Sequence, residues 1–176
     1  MLKSACRQSG FTLVELIVFI IVVGLAVTGV VLVINRTVTQ APEALVRTRA
    51  LEIAQAYLDE IATKRYDENT GQGGVPRCDS TDSGAQPCSN VLGPEGGESR
   101  AVYDDTDDYH GLDDNPPRDA GGNPFPGYAD YRVQISVTYA GTEVGLANDR
   151  LAKRVTLIVT TPLGDTIPVS FYRGNF

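Results

Sequence analysis

The sequence predicts an α+β fold: a long N-terminal helix, half apolar and half amphipathic, packed on a small antiparallel β-sheet, with a long acidic loop between them. Three observations carry that expectation. Residues 11–34 are almost uniformly apolar. Residues 51–62 repeat apolar side chains at helical spacing. Residues 131–139 alternate apolar and polar side chains with the period of a strand, and the run from Lys153 to Phe176 reads as two further strands around a Pro-Gly turn.

The chain has 176 residues and a formal charge of −7, which suits one domain of ordinary size plus an anchor. That charge is unevenly spread. Lys3 and Arg7 make residues 1–10 basic, Glu15 is the single charge of residues 11–34, and residues 67–130 hold three basic against fourteen acidic side chains. A basic face that tracks phosphates is hard to build from this distribution, so no nucleic-acid partner is expected.

At 1.5 Å per residue, a helix over residues 11–34 is roughly 36 Å long, enough for the hydrocarbon core of a bilayer. An ordinary secretory signal would place a small-residue cleavage site after a shorter apolar run. Here "INRTVTQAPEA" follows instead, and the small-residue junction beside charge is Ser9-Gly10, ahead of the apolar run. A cut there removes the basic leader, residues 1–10, and keeps the hydrophobic helix. Cys6 would leave with that leader. A lipid-attachment role for it is rejected, because no apolar run precedes it and Lys3 and Ser4 stand where small or apolar residues are needed.

Glu15 lies near the start of the apolar run. A charge inside a membrane segment costs about 2.5–3.5 kcal/mol on insertion scales and is by default a functional hypothesis. Two readings are open. Thr12-x-x-Glu15 fits a capping box, and an acid in the first turn complements the helix dipole. Alternatively, Glu15 pairs with a cation from another chain, since buried charges are tolerated when paired.

Gly24 and Gly29 interrupt the apolar run, either to permit close helix approach in lipid or simply softening the helix. Pro42 is expected to kink or end the helix. The helical pattern resumes in an amphipathic segment, residues 35–66. Its face of Leu51, Ile53, Ala54, Tyr57, Leu58, Ile61 and Ala62 is expected to pack on a soluble core, with Glu52, Gln55, Asp59 and Glu60 mostly opposite.

Residues 67–130 hold eleven Gly and seven Pro, too broken for long regular elements, with a short strand piece expected near Val102–Tyr103. Within "VYDDTDDYHGLDDNPPRD" the carboxylates are crowded, and oxygen ligands on a flexible loop suit Ca²⁺. The calcium candidates are Asp104, Asp105, Asp107 and Asp108. The spacing departs from the EF-hand pattern, and the alternative is a solvated acidic loop with no cofactor. Cys78 and Cys88 lie in this stretch. Outside the cytoplasm they would close a disulfide contributing on the order of 2–3 kcal/mol; otherwise they are two exposed thiols.

In "YRVQISVTY", Tyr131, Val133, Ile135, Val137 and Tyr139 alternate with polar residues, predicting a half-buried strand. "KRVTLIVTTPLGDTIPVSFYRGNF" reads as two strands around a turn at Pro162–Asp165. Pro168 puts the last strand near an edge or a bulge.

The segment Gly10-Phe-Thr-Leu-Val-Glu15, a short basic leader and a long apolar helix together resemble the processing and methylation motif of type IV prepilins. The resemblance implies that a prepilin peptidase cuts between Gly10 and Phe11 and methylates the new amine of Phe11. It implies that Glu15 is the assembly glutamate, pairing with the Phe11 amine of a neighbouring subunit. The segments "ALEIAQAYLDEI", "YDDTDDYHGL" and the C-terminal run are similar to minor subunits of mannose-sensitive haemagglutinin pili. The Cys78–Cys88 pair departs from the major pilins, whose usual bridge lies near the C-terminus, and so favours a minor subunit.

The resemblance thus implies a structural subunit with a single-pass anchor in the bacterial inner membrane, a periplasmic head over residues 67–176, and later a place in an extracellular filament. Its partners would be other pilin subunits, the peptidase and the inner-membrane assembly machinery. The alternative is a minor pseudopilin of a type II secretion system. Against an enzyme stand a single histidine, no His or Cys metal spacing, no Gly-x-Ser-x-Gly elbow and no phosphate-binding glycine loop. An acid–base pair among the loop carboxylates is the one enzymatic reading left, and His110 has no catalytic role in it.

Overall fold

The computed structural model describes the backbone of residues 10–176, and the side chains of residues 10–34 and 43–176. The expectations for Lys3, Cys6 and Arg7 lie outside the described residues. The chain divides into two compact units at Leu45/Val46.

The first unit carries the N-terminal part of helix α1, Leu13–Ala62. Its span Leu13–Ile34 is long and apolar enough to cross a membrane, and none of its most apolar window is buried within the chain. The hydroxyl of Thr28 donates to the carbonyl of Gly24 at 2.8 Å, which satisfies the one polar group in mid-span without water. A Cβ at Gly24 or Gly29 would meet nothing within 4 Å, so among the described residues no packing calls for glycine at either position. Of the two outcomes expected at Pro42, a kink or an end, the second does not occur: α1 continues past it to Ala62.

In the second unit the C-terminal part of α1 lies on a four-stranded antiparallel sheet of order β1 (Asp113–Asp114), β2 (Arg132–Tyr139), β3 (Ala152–Thr160) and β4 (Thr166–Gly174). The helix buries Ala50, Ile53, Ala54, Tyr57 and Ile61. Leu51, expected on this face, is 53% exposed, and Ala62 is exposed as well. The true stripe steps through 50, 53, 54, 57 and 61, and Leu51 falls about 100° off it. Opposite the helix, β2 and β3 present Val133, Ile135 and Val137 beside Val159, Leu157 and Val155. The edge strand β4 adds the half-buried Ile167, Val169 and Phe171. The turn joining β3 to β4 closes with the Thr161 N–H on the Asp165 carbonyl at 2.9 Å. Gly164 there has φ 86°, a left-handed value suited to glycine. Pro168 sits in edge strand β4, opposite Ile158.

The 67–130 region is built of short turns, and its strand piece is β1 rather than Val102–Tyr103. Arg100–Val102 instead forms a turn of 3-10 helix. A run of edge-to-face aromatic contacts, Tyr57–Phe125, Phe125–Tyr128 and Tyr128–Tyr131, holds the end of this region against the helix. Arg100 pins its middle. Its guanidinium pairs with Glu60 on α1 and lies 4.8 Å from the ring centre of Tyr109. The Tyr109 hydroxyl donates to the same glutamate at 2.5 Å.

Candidate functional site

Two places in the chain concentrate chemistry: the N-terminal motif and the acidic turns of the head. At the motif, Gly10 and Phe11 precede the helix outside regular structure and are exposed, Phe11 to 84%. Thr12 acts as the N-cap, its hydroxyl accepting the Glu15 N–H at 3.3 Å, and the Thr12 carbonyl accepts the Leu16 N–H at 3.1 Å. The first contact satisfies one of the four N–H groups that open a helix, and the second is the first bond of the helical ladder. Glu15 therefore stands in the first turn, where its charge is favoured by the helix dipole. Phe11, Glu15, Leu16 and Phe19 line a shallow groove.

In the head, the acidic run folds inward. Asp105, Asp107 and Asp108 are buried, as is Asp114. The solvated loop expected from the composition is therefore corrected. The reason lies in the backbone, which consumes carboxylate oxygens: Asp105 Oδ1 accepts the N–H groups of Asp107 at 2.8 Å and Asp108 at 3.2 Å. Asp108 Oδ2 accepts those of Asp104 at 2.8 Å and Asp105 at 3.0 Å. Asp104 is the member left outside, paired with Arg65. Arg65 also anchors this turn through its backbone, its N–H reaching the Asp104 carbonyl at 3.1 Å and its carbonyl accepting from Thr106 at 3.0 Å.

Lys153 enters the cluster from β3. It is wholly buried, pairs with Asp107 and with Asp67 at 3.1 Å, and donates to the Tyr66 carbonyl at 2.7 Å. Its ammonium lies 4.5 Å from the ring centre of Tyr66. Burial pushes the Asp105 carboxyl up to about 8, with its neighbours Asp107 and Asp108 adding to the effect against Lys153. Burial likewise raises Asp107, against the attraction of Lys153. Glu95 is raised by its partial burial and then by the charges of Asp107 and Asp108. Neither Lys153 nor Glu95 was singled out from sequence. Lys153 had a signal, since it stands in phase with Val155, Leu157 and Val159 on the inward face of its strand.

Cys78 and Cys88 form a disulfide with Cα atoms 4.9 Å apart, buried beside Tyr66 and Tyr139. The Asn175 amide donates to the Cys78 carbonyl at 2.9 Å, and the Arg150 guanidinium donates to the Cys88 carbonyl at 2.6 Å and to Asp79 at 2.7 Å. Asp67 lies near both sulfurs, but oxidised sulfurs offer no thiolate to a metal. His110 accepts the Val137 N–H through Nδ1 at 3.1 Å, a structural contact between the loop and β2.

A family model for the prokaryotic N-terminal methylation motif matches residues 6–31. That match supports a type IV pilin-like subunit, pilin or pseudopilin, and points to a structural role. It implies processing by a prepilin peptidase and assembly with other subunits, and with the apolar span it is consistent with inner-membrane anchoring. No curated protein and no solved structure matches the chain.

Proposed function

We propose that the chain is a minor subunit of a type IV pilus of the mannose-sensitive haemagglutinin kind, resembling the minor pilin MshD. The leader is cut between Gly10 and Phe11, the Phe11 amine is methylated, and the subunit waits in the inner membrane with its head in the periplasm. It then enters the filament by helix packing, with Glu15 opposite the Phe11 amine of a neighbour. The observation that carries this reading is the pairing of a methylation motif with an apolar span that buries nothing within its own chain. Such a span needs lipid in one state and partner helices in the other. The similarity to MshD rests on "ALEIAQAYLDEI", "YDDTDDYHGL" and "KRVTLIVTTPLGDTIPVSFYRGNF". In this reading the head is the variable part, which primes assembly or modifies adhesion.

The test is intact mass and N-terminal sequencing of the protein from its native membrane, joined to a deletion strain. A chain that begins at N-methylated Phe11, with surface fibres lost or altered on deletion, supports the proposal. Processing at Phe11 with loss of exoprotein release and intact fibres assigns the subunit to a type II secretion system instead. A chain beginning at Met1, in cells whose peptidase is active, reduces residues 11–34 to a plain anchor.

A further inference from the structure

Five carboxylates from two turns converge in the head: Glu95 and Glu98 from one, Asp105, Asp107 and Asp108 from the other. The first turn is set by Gly96 and Gly97, with φ 61° and 82°, values that leave room for little but glycine. It closes with the Glu98 N–H on the Glu95 carbonyl at 3.1 Å, so both glutamates serve one small region. Oxygens of Glu95, Asp105 and Asp107 lie within 4.8 Å of one another, and so do those of Glu95, Glu98 and Asp108. Glu95 belongs to both groups. Two oxygens bound to one calcium ion at 2.3–2.6 Å are separated by at most about 5 Å, so each trio is spaced to fit around a single ion.

The second observation concerns what these oxygens lack. Asp105 Oδ2, Asp107 Oδ2, Asp108 Oδ1 and Glu98 Oε2 are buried with no hydrogen-bond partner, and the three aspartates are at most 1% exposed. Each aspartate has one oxygen fixed, by the loop backbone at Asp105 and Asp108 and by Lys153 at Asp107, and leaves the other free. Buried polar atoms are almost always satisfied, and a group of unsatisfied ones calls for an unseen partner. The nearby cations are already committed: Lys153 is shared with Asp67, Arg65 holds Asp104 and Glu68, and Arg100 holds Glu60. Like charges packed this closely are relieved either by a proton, as at the raised Asp105, or by a further cation.

We propose that Glu95, Glu98 and Asp108, the trio with no carboxylate paired to Lys153, bind one calcium ion that ties the 95–98 turn to the 105–108 turn. Calcium fits better than magnesium, which demands near-ideal octahedral geometry and keeps several waters. Asp104, a candidate on sequence spacing, is not a ligand, because its carboxylate faces Arg65. The site does not depend on the pilus reading and is tested on the isolated protein.

The test uses the full-length chain in detergent, stripped with EDTA and titrated with CaCl₂ by calorimetry and thermal melting. Saturable binding is expected, with a melting temperature raised by roughly 5–10 °C at about 100 times the dissociation constant. The double variant Glu95→Gln/Asp108→Asn should bind no calcium and should melt in EDTA at or above the wild-type temperature, because crowding among like carboxylates is relieved while the amide oxygen at 108 can still accept the Asp104 and Asp105 N–H groups. Glu98→Gln, at a half-buried position that tolerates the change, should weaken binding about tenfold or more by lowering the ligand charge. Equal melting in EDTA and in millimolar CaCl₂ overturns the proposal. So do an equal shift with MgCl₂ and undiminished binding by Glu98→Gln.

Discussion

A lysine on the inward face of a central strand must be compensated on every side that water would otherwise occupy. Lys153 is compensated by Asp67, Asp107 and the Tyr66 carbonyl, and its charge lies over the Tyr66 ring. Asp67 in turn accepts the Ser89 N–H at 3.0 Å, so the ion pair reaches the chain beside the disulfide. Such a cluster gives little net stability compared with a fully apolar core, but removing one partner strands the others. Lys153→Met keeps the volume and removes the charge, leaving two buried carboxylates unpaired. It is expected to cost about 3–5 kcal/mol of head stability, read from urea unfolding of the full chain in detergent. A loss below about 1 kcal/mol would mean that the pair is not formed in solution. The lysine was legible in the sequence through its phase with Val155, Leu157 and Val159. Its partners were not, because Asp67 and Asp107 are 86 and 46 residues away along the chain and no local rule joins them. Glu95 and Glu98 were hidden for the same reason, lying apart in sequence from the aspartate run that drew notice.

The regular elements follow from short-range pattern, and the errors arise where tertiary packing decides. Period-two alternation located β2 and its inward residues, since a strand with one face on a core repeats every second position, and the Pro-Gly turn at 162–165 separated β3 from β4. The helix face was read correctly at Ile53, Ala54, Tyr57 and Ile61 but was centred too far round, taking in Leu51 and missing Ala50. A leucine beside the stripe looks like core in any hydrophobicity count; only the position of the sheet shows that an alanine fits there, where the helix lies close. β1 was not legible at all: Asp113 and Asp114 have poor strand propensity and pair with Gln134 and Val133 only because β2 offers its edge. Paired substitutions on α1 test this assignment. Ile53→Ala is expected to cost about 2–5 kcal/mol through lost burial and a residual cavity, whereas Leu51→Ala should stay within about 0.5 kcal/mol. Both values come from the same denaturation series. A Leu51→Ala loss as large as that of Ile53→Ala would restore the sequence-based face.

Across the whole molecule, the two units divide the work of burial in opposite ways. The head from Val46 onward builds its own core, whereas the span Leu13–Ile34 exposes its apolar side chains all round. The span can be stable only against lipid or against other helices, and transfer from the first to the second gains little from the hydrophobic effect, since lipid tails are as apolar as leucine. Something more specific must favour docking and fix its register. Glu15 is the one charge in the span, and it costs free energy in lipid until it is paired. Its capping geometry with Thr12 is local and would survive replacement by glutamine, which also suits the third helical position. Glu15→Gln therefore separates the two roles. If Glu15 serves assembly, the variant should be inserted, cut and methylated like the wild type, with an unchanged amount in the membrane fraction. It should then be reduced at least about tenfold in sheared filaments, the loss set by a missing charge pair of about 1.4 kcal/mol or more. The measurement is an immunoblot of membrane and filament fractions from the same cells, with intact mass to verify processing. Equal incorporation of the glutamine variant would leave Glu15 a helix cap and shift the register to packing around Gly24 and Gly29, where no contact among the described residues accounts for glycine.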